Sequence, residues 1–323
     1  MVATPALPER HLGLLPAAEI ADLDARIERM ADLLAATAAA ALPPPVEFAV
    51  PPAPTFPRLL EGQTIAVARD AAFCFLYPAN LECLDALGAR LEFFSPLADA
   101  VLPACDAVWL PGGYPELHGP AIAANTRMAA SLRAHVAAHK PLLAECGGMM
   151  ACFETLHDID EKPHAMFGLM PGASRMQTKL ASLGMLAADL PEGRINGHTF
   201  HFSRSETPLI PLTRATRPDG RESEAIYRTG RLTASYMHCY FPSNPAAAAR
   251  LLLPAPASAC ALRESQSASI SRSFPLPAFR RCRWCGYWPR RQDEGRYEKM
   301  MQIAPGRMEP SPPACCPSSE ETP

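Results

Sequence analysis

Between Thr64 and Leu156 apolar residues arrive in short blocks separated by polar or Gly-rich breaks. Thr64–Ala68, Arg90–Phe94, Ala107–Leu110 and Pro141–Glu145 are too short for helices and are bounded by turn residues, so they predict strands. Pro78–Leu87 and Ala121–His139 have helical length and spacing, and a further helix is expected from Gly147 through Met150 and Leu156. Strands alternating with helices predict an α/β domain, a mostly parallel sheet flanked by helices, because a parallel pair needs a crossover that a helix supplies. Beyond Phe167 the blocks predict strands at Ser174–Leu180, Ile195–Phe202, Ala225–Tyr227 and Leu232–Met237. A helix near Ala246–Leu252 closes the patterned region.

The flanks differ. Residues 1–61 carry an expected amphipathic helix over Ala17–Ala38, with Ile20, Leu23, Ile27, Met30, Leu33 and Leu34 at helical spacing. Pro43, Pro44, Pro45, Pro51, Pro52, Pro54 and Pro57 follow, a density that suits an extended linker. Residues 254–323 are rich in Pro, Cys, Arg and Ser without sustained periodicity, and a disordered tail is expected there. The abrupt loss of pattern suggests a frameshifted or read-through end. The domain reading is therefore 1–61 linker, 62–253 folded domain, 254–323 tail.

Composition narrows the partners. An apolar fraction of 48% suits a soluble globular chain, and a net charge of −3 gives no excess that would draw it to nucleic acid or an anionic membrane. No apolar run reaches the length of a membrane span. The first thirty residues hold Glu9, Glu19, Asp22, Asp24 and Glu28, which is not the pattern of a secretory leader. Eleven Cys without such a leader point to reduced thiols and a cytoplasmic location. Cys282 and Cys285 have the spacing of half a zinc site, but Cys315-Cys316 is not a matching half, so no metal is assigned. His135, His139, His157 and His164 read as surface residues.

Three segments carry chemistry. In Leu142–Met150 an apolar strand runs into Cys146, Gly147 and Gly148 follow, and an apolar helix begins. A nucleophile at a sharp strand-to-helix turn is thrown clear of both elements, and small neighbours let a reactant approach. The adjoining helix N-terminus is expected to favour the thiolate. One strand earlier, Pro111-Gly112-Gly113 ends a strand at the carboxyl edge of the sheet, where open α/β folds bind ligands. Backbone N–H groups at Gly113 and Gly147 would there hold an oxyanion. The third segment, Ala234–Pro245, brings His238 to a strand end as the base a Cys nucleophile needs. Glu145 is expected beneath Cys146 as a hydrogen-bonding support. His198 and His201, three apart on one strand, face opposite sides and are not expected to share an ion.

Pro111–Leu117, Ala144–Met149 and Gly197–Ser203, in that order, resemble the class I glutamine amidotransferase (flavodoxin-like) domain of the cobyrinic or hydrogenobyrinic acid a,c-diamide synthase family. Ala6–Leu14 is similar to the end of that family's synthetase domain, so 1–61 reads as its remnant. The resemblance covers about residues 6–252. It implies a glutaminase supplying ammonia for ATP-dependent amidation of a corrin's a and c carboxylates, with Cys146 as nucleophile, His238 as base and Gly112, Gly113 and Gly147 around the oxyanion and glutamine. It implies that His198 or His201 faces the crevice or a domain interface, a structural role being the other reading. Many class I relatives have Glu two residues after the His, where this chain has Tyr240. ATP and Mg²⁺ are implied for the full enzyme, yet no G-x-x-x-x-G-K-[ST] occurs in the sequence and no site for them is expected in this chain. A separate synthetase chain is then the expected partner. A non-catalytic remnant and a free-standing Cys hydrolase stay open as alternatives.

Overall fold

The first α-helix among the described residues has no buried face. The computed structural model describes residues 7, 8, 15, 17–49 and 55–254; the tail expected to be disordered and its Cys pairs lie outside the described residues. The helix expected over Ala17–Ala38 is realised as α1 (Leu23–Ala35), which buries none of its residues, with single 3₁₀ turns at Ala17–Glu19 and Ala38–Ala40 on either side.

The patterned region then folds largely where its apolar blocks stand. β1 (Thr64–Ala68), α2 (Pro78–Ala86), β2 (Arg90–Phe94) and β3 (Ala107–Leu110) coincide with them. The single helix expected over Ala121–His139 is two, α3 (Gly119–Ala124) and α4 (Thr126–Ala137). Asn125 separates them with non-helical backbone. Its side-chain oxygen accepts from the Met128 N–H and caps α4, while its amide donates to the Pro96 and Asp99 carbonyls, both at 2.8 Å.

β4 (Leu142–Glu145) leads through Cys146 into α5 (Gly147–Cys152), which stops short of Leu156. The Ala151 and Cys152 carbonyls, which a longer helix would use internally, instead accept N–H groups from Phe167, Leu169 and Met170. Leu156 therefore lies in β5 (Thr155–His157), which with β6 (Pro163–Ala165) and β7 (Ala173–Met176) forms part of a small second sheet.

The antiparallel part begins with β8 (Ser182–Leu190), a strand its Gly184, Ala187 and Ala188 disguise in sequence. It is held by full-length pairing with β9 (Gly193–His201), from Ser182 opposite His201 to Leu190 opposite Gly193. Next come β10 (Ser203–Glu206), which completes the small sheet, then β11 (Thr213–Thr216), β12 (Glu222–Thr229), β13 (Leu232–Ser235), β14 (His238–Tyr240) and α6 (Pro245–Leu252).

Among the described residues the large sheet runs β14-β9-β8-β11-β12-β13-β4-β3-β1-β2. The α/β class holds, with a sheet that is mixed: β13, β4, β3, β1 and β2 are parallel, the rest antiparallel. Only Tyr236 and Met237 separate β13 from β14, yet the order places them far apart. The antiparallel half must therefore curl back on itself, and the curl brings His238 to the parallel half.

Alternate residues of the parallel strands feed two cores. Ala66, Val108, Leu110, Leu142 and Ala144 pack with Met149 and Phe167 on one face, while Ile65, Val67, Trp109 and Leu143 pack with Leu84, Phe241 and Leu252 on the other. Burial on both faces accounts for the near-continuous apolar blocks that mark these strands in sequence. His135 and His164 are buried, against the expectation of surface positions: His135 Nε2 meets the Pro141 carbonyl at 2.9 Å, and His164 Nε2 meets Asp158 at 2.8 Å.

Candidate active site

β4 ends at Glu145, and the next residue carries the backbone strain of the site. Cys146 has φ 48° and ψ −110°, a conformation that costs a non-Gly residue of order 1–3 kcal/mol. It is clamped on both sides: its N–H donates to the Ser235 carbonyl of β13 at 2.8 Å, and its carbonyl accepts the Met150 N–H at 3.0 Å. The thiol points to the Phe200 carbonyl of β9 at 3.9 Å.

The Gly residues around it are needed for close approach. A Cβ on Gly147 would stand 2.9 Å from both the nitrogen and the oxygen of Gly113, and one on Gly113 would stand 2.1 Å from the Ala72 carbonyl oxygen. The two backbone segments expected to hold an oxyanion thus lie against each other beside Cys146. Gly112 does something different. A Cβ there would stand 2.4 Å from His238 Cε1, so its absence makes room for the imidazole.

His238 opens β14 opposite His198 of β9, and the two rings stack at 4.9 Å with 8° between their planes. Tyr77, just before α2, is hydrogen-bonded through its hydroxyl to His198 Nε2 at 3.1 Å and sets its ring edge against His238 at 6.1 Å. His238 Nδ1 is buried with no hydrogen-bond partner. Tyr240, at the position where a carboxylate orienter would stand, is exposed. Packing, rather than a carboxylate, holds this imidazole.

Glu145 ties the two chemical strands together from below. Its carboxylate accepts the Cys239 N–H at 2.9 Å and the Trp109 indole N–H at 3.1 Å, so it fixes the residue after His238. Burial raises its carboxyl to about 7, against these two hydrogen bonds.

Electrostatics leaves the pair neutral. Burial pushes the Cys146 thiol up; the Gly147 N–H opposes this, and the carboxylates of Glu116, Glu224 and Glu145 add to it. The expected lowering by the helix terminus is outweighed, because α5 is one short turn and a half and the sulfur is shut off from water. Burial likewise depresses His238, helped by His198 and His201. Cys146 and His238 are 5% and 1% exposed, and no hydrogen bond joins them.

His198 and His201 do face opposite sides of β9. Burial lowers His198 to about 4. On the other side His201 Nε2–H donates to the Glu224 carboxylate at 3.2 Å, and the ring stacks on Tyr236 at 3.7 Å. Burial tends to raise Glu224, but hydrogen bonds from His201, Ser182 and Thr199 prevail and hold it below the usual carboxylate value. Tyr77 and Glu224 carry no sequence signal; Tyr236 lies in the segment that holds His238, and only the tertiary fold sets it against His201. Among the described residues no group of three or more His, Cys, Asp or Glu is placed to hold a metal ion.

A family model described as the CobB/CobQ-like glutamine amidotransferase domain matches residues 64–246. The chain is 56% identical over 249 residues to a hydrogenobyrinate a,c-diamide synthase of Stutzerimonas stutzeri, covering 77% of this chain and 58% of that protein. It is 48% identical over 253 residues to a cobyrinate a,c-diamide synthase of Herminiimonas arsenicoxydans, with the same coverage of each. The chain thus spans a little over half the length of these relatives.

Proposed function

The chain belongs to the CobB/CobQ-like glutamine amidotransferase domain family, and from that membership we propose that it hydrolyses glutamine at Cys146 and delivers the ammonia to an amide-forming synthetase. In this reading residues 62–253 are the glutaminase domain and 1–61 link it to the synthetase portion. The observation that carries the proposal is the strained Cys146 clamped between β13 and α5, with Gly113 and Gly147 pressed together beside it and His238 seated on Gly112.

The chemistry follows from those positions. Glutamine entry brings thiol and imidazole within hydrogen-bond reach, a tightening common when a substrate fills an apo site. The thiol proton passes to His238 as Sγ attacks the carboxamide carbon. N–H groups of Gly113 and Gly147 take the oxyanion, each such donor being worth roughly 10²–10³ in rate. The C–N bond breaks as His238 returns the proton to the departing ammonia, and water then cleaves the thioester to glutamate. The stack on His198, itself anchored by Tyr77, stands in for the carboxylate that would orient the base.

The acceptor follows the relatives' names: a cobyrinate or hydrogenobyrinate corrin, amidated at its a and c carboxylates in cobalamin biosynthesis in the cytoplasm. ATP and Mg²⁺ would serve carboxylate activation in the synthetase portion. The residues present do not fit them, since the sequence has no phosphate-binding loop of the Gly-Lys type. No helix among the described residues is long and apolar enough to cross a membrane.

The test is glutamate release from glutamine by the purified chain, alone and with an added synthetase domain. Release by the parent and none by Cys146→Ser is the expected result. No release under either condition overturns the proposal, and hydrolysis of peptides but not glutamine replaces it with a free-standing Cys hydrolase.

A further inference from the structure

The nucleophile and the base stand on different halves of the sheet. Cys146 follows β4 of the parallel half, whereas His238 opens β14, which lies at one edge of the large sheet among the described residues and pairs with β9. Along the ladder β8, β11, β12 and β13 separate β9 from β4, so strand pairing alone relates the two groups only through a long series of steps. An edge strand also carries a row of N–H and C=O groups on its open side. At β14 these are the N–H and carbonyl of Cys239 and the N–H of Phe241, just past its end. Buried side chains take all three.

Glu145, the residue before Cys146, accepts the Cys239 N–H at 2.9 Å. The other two groups go to Asn80, in the first turn of α2. Its amide donates to the Cys239 carbonyl and its side-chain oxygen accepts the Phe241 N–H, both at 2.8 Å. A carboxamide offers the same donor and acceptor as a peptide group, so Asn80 meets β14 as a further strand would. It is fully buried, where an unmet N–H or carbonyl is costly. On the inner side β9 lies so close that a Cβ on Gly197 would collide with the His238 carbonyl oxygen. β14 is thus held from both edges. The same turn of α2 reaches the imidazole by a second route: the Asn80 N–H donates to the Tyr77 carbonyl at 2.9 Å, and the Tyr77 hydroxyl holds His198. Because α2 joins β1 to β2, this turn belongs to the parallel half.

Resting on the glutaminase reading, we propose that Asn80 is a positioning residue for His238, its carboxamide tying β14 to the half of the fold that carries Cys146. It acts through the backbone of Cys239 and Phe241 rather than on the imidazole itself. Of the side chains of similar length, an ionised Asp has no proton for the Cys239 carbonyl and Leu has neither group. The tie sets where the imidazole meets the thiol, so its loss falls on turnover rather than on glutamine binding.

The experiment measures glutamate release by the full chain carrying Asn80→Leu or Asn80→Asp, and glutamine affinity by calorimetry with the same exchanges made in Cys146→Ser. The expected result is a kcat lower by roughly 10- to 100-fold, the cost of a base about 1 Å out of place, with glutamine affinity within about three-fold of the parent's. The ring-proton NMR shifts of His198 and His238 should move with it, because their stack is displaced. Leu84→Ala loosens the same helix without removing a hydrogen bond, since Leu84 is a buried apolar residue of α2, and should keep kcat within a few-fold. Folded Asn80 variants that keep the parent's kcat, or that lose glutamine binding along with it, overturn the positioning role while the glutaminase reading stands. A loss in Leu84→Ala equal to theirs does the same. Where neither Asn80 variant folds, amide exchange in the parent decides. The Cys239 and Phe241 N–H groups are expected to exchange as slowly as those paired within the sheet, and exchange at the rate of open-edge amides overturns the role. If the parent releases no glutamate from glutamine, with or without an added synthetase domain, the glutaminase reading fails and takes this assignment with it.

Discussion

Replacing Glu145 by Gln tests whether a buried acid under the site titrates as the structure requires. The carboxyl is 1% exposed, and burial raises it from 4.5 to about 7. Below pH 4.5 it is protonated in both the folded and unfolded chain. Between 4.5 and about 7 the unfolded chain releases the proton while the folded one retains it, so stability falls as pH rises. Above about 7 the loss is complete. At about 1.4 kcal/mol for each pH unit, the interval amounts to about 3 kcal/mol. The Gln amide does not titrate. It has one acceptor where the carboxylate receives two donors, Cys239 N–H and Trp109 Nε1–H, and that mismatch costs about 1–3 kcal/mol at every pH. Urea unfolding of both proteins from pH 4 to 8 separates the two effects, because other titrating groups cancel in the difference. The parent's advantage over Glu145→Gln should shrink by about 3 kcal/mol across that range. Parallel stability curves, or an advantage that grows with pH, would refute the reasoning.

Two further outcomes follow from the packing around His238. Gly112→Ala places a Cβ 2.4 Å from His238 Cε1, so the ring must shift by about 1 Å; glutaminase activity should fall on the order of 10²-fold. Glutamate release within a few-fold of the parent's would show that the imidazole position does not matter. His198, buried against His238 and Tyr77, should titrate near pH 4 by the NMR shift of its ring protons and stay flat from pH 5.5 to 8. A midpoint near the ordinary 6.5 would mean that the stack does not exist in solution.

The legibility of the fold divides at about Phe167. Before it, β1 and β3 lie at the residues where apolar blocks end in turns, because parallel strands buried on both faces leave an unbroken apolar signature, while β2 is an edge strand that buries only Phe94 fully. The departures there come from side-chain and backbone capture of helix ends: Asn125 divides a helix, and the loop at Phe167–Met170 takes the carbonyls that would extend α5. Beyond it, β8 with its Gly and Ala residues is a strand only because β9 lies alongside, and β10 and β11 are mostly polar and carry no apolar block; just before it, β5 and β6, three residues each, are too short to declare themselves.

The site divides the same way. Cys146, its Gly neighbours and His238 were readable because a strand-to-turn junction and a strand end are local events, encoded within a few residues. Tyr77 and Glu224 were not, since nothing near them in the chain marks them, and Tyr236, though two residues before His238, gave no sign of its stack on His201. Their assembly depends on the antiparallel half curling back through Tyr236 and Met237 until β14 pairs with β9. The protonation of the pair was also a tertiary matter. A helix terminus beside a thiol argues locally for the thiolate, whereas burial, with the carboxylates of Glu116 and Glu224 from other segments and of the neighbouring Glu145, argues against it and prevails. Local pattern therefore determined which residues stand at the ends of the strands. Long-range pairing and desolvation decided which of them meet, and in what charge state.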